Sequence, residues 1–227
     1  QMDGCRMRYL KIKDDNGRFQ HPWAIELFDM GSRYMFALEA YFAESNASAV
    51  GLFSRFLLST PFPLQKIRIR PDNAKGFLNL ARVMKALNLA HSTPGGFYMD
   101  ADFARPSSPK DKAHLESSHQ GLHNFEIRII KAFEQRIVKT APAIVFHRGR
   151  KEKITVTLLD ITLHDLNDSP LIKGYCDEHN QTKHYFNENA EIRSWVPSEK
   201  LGDFLASQPK TLCFEPDQVR ELMKYGF

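Results

Sequence analysis

Ile67-Arg68-Ile69-Arg70-Pro71-Asp72-Asn73 and Pro109-Lys110-Asp111-Lys112-Ala113-His114-Leu115-Glu116 are the two stretches whose reading decides the fold. The first is short, β-branched and alternating, which predicts a strand that delivers a carboxylate at its exit. The second opens a helix. Ser108 can cap it, Pro109 suits its first position, and Asp111 stands three residues after the cap, where an acid suits the helix dipole. Leu115, Leu122, Phe125, Ile129, Phe133 and Ile137 then recur at helical steps, predicting one buried stripe. Glu116 lies about 100° off that stripe, and His119, Gln120 and His123 follow on its own face. A third acid, Asp3 in Gln1-Met2-Asp3-Gly4, stands at the start of the first predicted strand. Three carboxylates from separate elements predict a metal site.

Working outward, residues 2–12 and 21–28 read as strands joined by Asp14-Asp15-Asn16-Gly17, a hairpin turn signal. Residues 33–42 give a third strand after the turn at 29–32. Ser45 or Asn46 can cap a helix with Val50, Phe53, Phe56 and Leu57 on one face, ending before Pro61. The strand at 66–70 follows, then a helix over 76–88 and a short strand at 89–91 before the long helix. The order β-β-β-α-β-α-β-α resembles that of a ribonuclease H-like fold, an α/β class with a mixed five-stranded sheet flanked by helices. Beyond it, 143–146 and 153–159 predict a hairpin with Arg148-Gly149-Arg150-Lys151 at its tip. Ser169-Pro170 then opens a helix carrying Tyr175, His179, Asn180 and His184. His179 and His184 read as packing and hydrogen-bonding residues rather than ligands, since no cysteine or second histidine stands beside them at ligand spacing. The expected organisation is a catalytic core over 1–140, a hairpin and helices completing it over 141–206, and a linker over 207–227 toward a missing C-terminal domain.

The 227 residues carry 31 Lys and Arg against 27 Asp and Glu, a net charge of +4 that permits a polyanionic partner without demanding one. Cys5, Cys176 and Cys213 are odd in number and far apart, which argues against a disulfide framework or structural zinc and fits a reducing compartment. No apolar run approaches the length of a membrane span. A cytoplasmic protein is expected, and a nucleoid-associated one of bacterial type by the resemblance that the words below carry. Because Gln1 opens directly on the strand of Asp3, the chain reads as an excised fragment lacking segments that recognise DNA ends.

The words Gln-Met-Asp-Gly at 1–4, Phe-Asp-Met-Gly-Ser-Arg-Tyr at 28–34, Pro-Asp-Asn at 71–73, His-Ser-Thr-Pro-Gly at 91–95 and Pro-Lys-Asp-Lys-Ala-His-Leu-Glu at 109–116 occur in that order. Together they resemble the catalytic core of DDE transposases and retroviral-type integrases. Tyr175, His179-Asn180 and His184 look like the segment that closes many such cores. The gap from Asp72 to Glu116 is longer than usual for that family, with room for the extra length in the Gly- and Pro-bearing stretch 95–108. Asp-Asn-Ala also stands where Asp-Asn-Gly is usual.

Hard cations such as Mg²⁺ or Mn²⁺ choose carboxylate oxygens. Asp3, Asp72 and Glu116 are therefore the expected catalytic and metal-binding residues for two ions, about 3.5–4 Å apart, that serve an in-line displacement at phosphorus. Asp3 is assigned to both ions, Asp72 and Glu116 to one each. By resemblance, the nucleophile is water in nicking and a 3′-hydroxyl in strand transfer, and the chain forms a homo-oligomer on the DNA ends. His119, Gln120 and His123 are candidate DNA contacts by the same resemblance. Arg148, Arg150 and Lys151 are candidate phosphate contacts, since phosphates supply most sequence-independent affinity. Glu126, about 15 Å further along the helix, is expected to be dispensable. Two other readings share the fold: a ribonuclease H-like nuclease that only hydrolyses, and an inactive nucleic-acid-binding domain.

Overall fold

A computed structural model describes residues 1–63, 66–71, 79–91, 98–101, 113–147, 150–188 and 191–224. The elements in chain order are β1 (Met2–Arg6), β2 (Leu10–Lys13), β3 (Phe19–Gln20), β4 (Trp23–Phe28), β5 (Met35–Tyr41), α1 (Asn46–Ser59), β6 (Phe62–Pro63) and β7 (Lys66–Ile69). They continue with α2 (Leu80–His91), β8 (Tyr98–Ala101), α3 (Ala113–Ala132), β9 (Ile137–His147), β10 (Arg150–Leu159), α4 (Leu163–Asn167) and α5 (Pro170–Gln181). The last are β11 (His184–Glu188), β12 (Glu191–Trp195), α6 (Pro197–Ala206), β13 (Thr211–Leu212) and α7 (Pro216–Met223). The architecture is mixed α/β with several small sheets.

The sheet that positions the candidate site is antiparallel, in the order β1-β4-β5. Alternation along its strands splits the core in two. Met2, Ile25, Leu27 and Ala37 face a cluster with Val50, Phe53 and Phe56 of α1 and Val83 and Leu87 of α2. Cys5, Ala24, Phe28, Leu38 and Ala40 face a second cluster with Leu122, Phe125 and Ile129 of α3 and Ile172 of α5. Each fully buried large side chain, such as Phe53, contributes about 2–3 kcal/mol of apolar transfer. The helices therefore hold the sheet from both faces.

β5 forms one edge of this sheet, and two asparagines close it. Asn167 Nδ2 donates to Ala40 O while its Oδ1 accepts from Ala40 N, and Asn180 makes the same pair of bonds with Met35. Backbone groups at an edge otherwise invite another chain.

Residues 2–12 are not one strand. Pro22 has no N–H to continue the ladder, and Met7 N instead donates to Pro22 O at 2.9 Å. The chain bends, and β2 joins a second sheet in the order β3-β2-β10-β9, parallel to β10. The expected Asn16-Gly17 turn links β2 to β3. Asp14 Oδ1 accepts from Asn16 N and Arg18 N, and Gly17 adopts a φ of 75° that favours glycine.

Five strands in one continuous sheet are not formed among the described residues. β7 and β8 make a separate parallel pair, which meets β1 through a single parallel bridge between Met2 and Pro71, with Met2 N donating to Arg70 O at 3.0 Å. Pro71, lacking an N–H, cannot donate the next bond of that ladder.

Four other expectations need correction. Residues 89–91 continue α2 and do not form a strand; the strand lies at Tyr98–Ala101, tied back to the helix by Asn88, which bonds Met99 N and O. The buried stripe of α3 stops at Phe133, where a 3-10 turn over Glu134–Arg136 ends the helix and leaves Ile137 39% exposed at the start of β9. His184 lies on β11, beyond the end of α5. In the stretch read as a linker from residue 207, Thr211–Leu212 pairs with Phe62–Pro63, and Phe214, Val219 and Met223 are buried in the first cluster.

Candidate functional site

Asp3 is the second residue of β1, 7% exposed, and its Oδ1 accepts from Gly4 N at 3.0 Å. Directly opposite on β4 is Glu26, fully buried. Opposed residues of an antiparallel pair share a face, so two carboxylates stand together on the face that α3 covers. A Cβ at Gly4 would lie 2.5 Å from Glu44 Oε1, so a larger residue there would push the Glu44 carboxylate aside.

Cys5 follows on the same face as Asp3. Burial pushes its thiol up to about 12, and Glu26, Glu126 and Asp3 push in the same direction. Burial first, and then the acids around it, thus hold the thiol protonated, so it is not a nucleophile. Asp3 offers hard oxygen donors on a rigid strand, which suits Mg²⁺ or Mn²⁺ rather than a thiolate-seeking metal. Among the described residues, no group of three or more His, Cys, Asp or Glu is arranged to hold a metal ion.

α3 is fixed to the bend between β1 and β2. Glu126 is fully buried; its Oε2 accepts from Tyr9 N at 2.7 Å, and its Oε1 is hydrogen-bonded with His123 Nδ1 at 2.7 Å. The His123 ring meets Tyr9 edge-on, 5.7 Å between centroids. Past the end of the helix, Arg136 O accepts from Asp160 N, next to Leu159, which pairs with Ile12. From Glu126 onward the chain therefore advances in the same direction as β2. On the outer side, Phe125 stacks on Tyr175 of α5 at 4.4 Å, and a Cβ at Gly121 would lie 3.0 Å from the Tyr175 hydroxyl.

The expected site residues fall as follows. Asp3 is on β1 as anticipated. Asp72 lies outside the described residues, one position after the bridged Pro71. Glu116, His119 and Gln120 are in α3, as the sequence predicts, with their side chains outside the description. His123, expected on a DNA-facing side, is instead 9% exposed and engaged by Glu126. Arg148 lies outside the described residues, Arg150 begins β10, and Lys151 is exposed on that strand.

Glu26 and the role of Glu126 escaped the sequence reading. A lone acid inside Trp23-Ala24-Ile25-Glu26-Leu27-Phe28 was the available signal for the first. His179 and His184 make hydrogen bonds, as read: His179 Nε2 is 2.9 Å from Arg33 O and His184 Nε2 is 2.8 Å from His179 O. Among the described residues no helix is long and apolar enough to cross a membrane. No protein-family model matches the chain, and no curated protein matches it.

Proposed function

We propose that the chain is a catalytic core of the DDE transposase and integrase type, cutting DNA strands and joining a 3′-hydroxyl to a target phosphodiester. The observation that carries this reading is the Met2–Pro71 bridge, because it pairs the residue before Asp3 with the residue before Asp72. Two parallel strands joined at that point make their next residues neighbours at one sheet end. The succession β5, β4, β1, β7, β8, with the last pair continued through the bridge, supports a ribonuclease H-like arrangement. The placement of α3, with Glu126 bonded at Tyr9 and Gly121 against the Tyr175 hydroxyl, which feels the charge of Glu26 opposite Asp3, supports bringing Glu116 toward the same place.

In this reading Asp3, Asp72 and Glu116 hold two Mg²⁺ or Mn²⁺ ions, which when bound activate the attacking oxygen and stabilise the leaving oxygen. Asp3 supplies a carboxylate fixed by strand pairing on both sides of the residue. Glu116 supplies one from a helix whose opposite end is anchored at Tyr9. The basic tip from Arg148 to Lys151, together with His119 and Gln120, contacts phosphates; His123 is left out because it is buried. The partner is DNA, the assembly is a homo-oligomer on DNA ends, and the compartment is the bacterial cytoplasm.

The test is a nicking and joining assay on labelled DNA with Mg²⁺, comparing the parental chain with Asp3→Asn. Cleaved and joined products that vanish in the variant support the proposal. Cleavage without joining favours the hydrolytic nuclease, and neither product with any DNA ends refutes both.

A further inference from the structure

We infer that Glu126 is a positioning residue: its hydrogen bonds to Tyr9 N and His123 set how far α3 slides along β1, and so where Glu116 stands relative to Asp3. The inference rests on the reading of Asp3 and Glu116 as metal ligands. Three observations carry it.

First, the fixed point is backbone. Tyr9 N belongs to the bend between β1 and β2, which is tied down at Met7 by Pro22 O and at Leu10 by its pairing with Thr157. A carboxylate oxygen at 2.7 Å from that amide locks one level of the helix to one level of the strand. Second, both oxygens of Glu126 are used, and the second bond holds His123, one turn earlier on the helix. The result is a two-point attachment rather than a swivel. Third, the spans agree. From Glu126 back to Glu116 is about 15 Å of helix, and from Tyr9 back to Asp3 is at most about 20 Å of chain. On the way back from the anchor α3 passes Gly121, whose Cβ would lie 3.0 Å from the Tyr175 hydroxyl, and Tyr175 feels the charge of Glu26, which stands opposite Asp3.

Burying a carboxylate is costly, and an apolar side chain of that volume would fill the place at least as stably. What the carboxylate adds is direction, through short charge-assisted bonds. Direction matters here because metal–ligand distances tolerate only about 0.2 Å, whereas helices packed by apolar contacts alone can slip much further.

The experiment measures Mn²⁺ affinity of the 227-residue chain by electron paramagnetic resonance, with a short DNA duplex present, alongside thermal melting. The variants are Glu126→Asp, which withdraws the carboxylate by about 1.5 Å, roughly one carbon–carbon bond, Glu126→Gln, which keeps reach and an acceptor for Tyr9, and Asp3→Asn. Val219→Ala, a packing loss in the other cluster, controls for stability alone. Positioning predicts a Kd for Mn²⁺ raised about 10-fold or more in Glu126→Asp, the size seen when a ligand's support is disturbed. It also predicts recovery to within about threefold in Glu126→Gln and no change in Val219→Ala at temperatures where each is folded. Parental affinity in a folded Glu126→Asp, whatever its melting temperature, overturns the inference while leaving the metal site standing. A Glu126→Asp that does not fold, with Glu126→Gln folded but as weak as Asp3→Asn, also overturns it. Parental binding that is absent, or indifferent to Asp3→Asn, overturns the proposed function and this inference with it.

Discussion

Asp3 and Glu26 stand directly opposite one another across the β1–β4 pair, both buried. Like charges in that relation destabilise a sheet, and under the proposed function a divalent cation bound at Asp3 would offset the repulsion. Without divalent cations, Asp3→Asn is expected to melt at the same temperature as the parental chain or higher. With Mn²⁺ at about ten times its Kd, the parental chain gains about 1.4 kcal/mol and Asp3→Asn gains nothing. Thermal melting with and without Mn²⁺ checks this. Equal gains in both proteins would place the ion elsewhere.

Asn180 holds Met35 at both backbone groups, with distances of 2.7 and 3.0 Å, on the edge strand that carries the sheet's other side. Asn180→Ala strands a buried N–H and a buried C=O. The expected loss is about 2–4 kcal/mol in denaturant unfolding. Asn167→Ala, at the other end of β5, is expected to cost less because its bonds are only partly buried.

The two inner thiols give a pH signature. Cys5 and Cys176 are each pushed up to about 12, first by burial and then by Glu26, from an unfolded value of 9.0. In the fold they keep their protons where the unfolded chain has lost them. Their contribution is therefore intact below pH 9 and is lost as pH rises from 9 toward 12, at up to about 1.4 kcal/mol per pH unit for each. Unfolding measured from pH 8 to 11 should show a shallower decline in Cys5→Ala/Cys176→Ala than in the parental chain. In the native protein at pH 8, a thiol reagent should label the exposed Cys213 and leave the other two for the unfolded state. Rapid native labelling of Cys5 would contradict the burial.

Local chemistry was legible where one segment holds its own answer. Asn16-Gly17 forms its turn, Ser45 caps α1 through the bond from Ser48 N, and Pro170 opens its helix as read. What stayed hidden depends on partners far off in sequence. The break after β1 needs Pro22 beside Met7, and the return strand falls after residue 91, at Tyr98–Ala101, where Met99 is bonded by Asn88. Glu126 reads as a dispensable helix residue until a backbone amide 117 residues away is found bonded to it. Of the candidate site, the placing of Asp3 on a strand and of Glu116 on a helix was legible, while the burial of Glu26 and His123 was not, since burial is settled by which faces meet.

The central claim is that Asp3, Asp72 and Glu116 act as one metal site on DNA, and the most direct measurement is single-turnover nicking and joining by Glu116→Gln. That change keeps size and helix propensity while removing one charged ligand. With cognate DNA ends and Mg²⁺, its rate is predicted to fall by about 10³-fold or more, the several kcal/mol that metal assistance supplies, with DNA affinity and melting temperature close to parental. A Glu116→Gln protein that cuts and joins DNA at the parental rate would contradict the account.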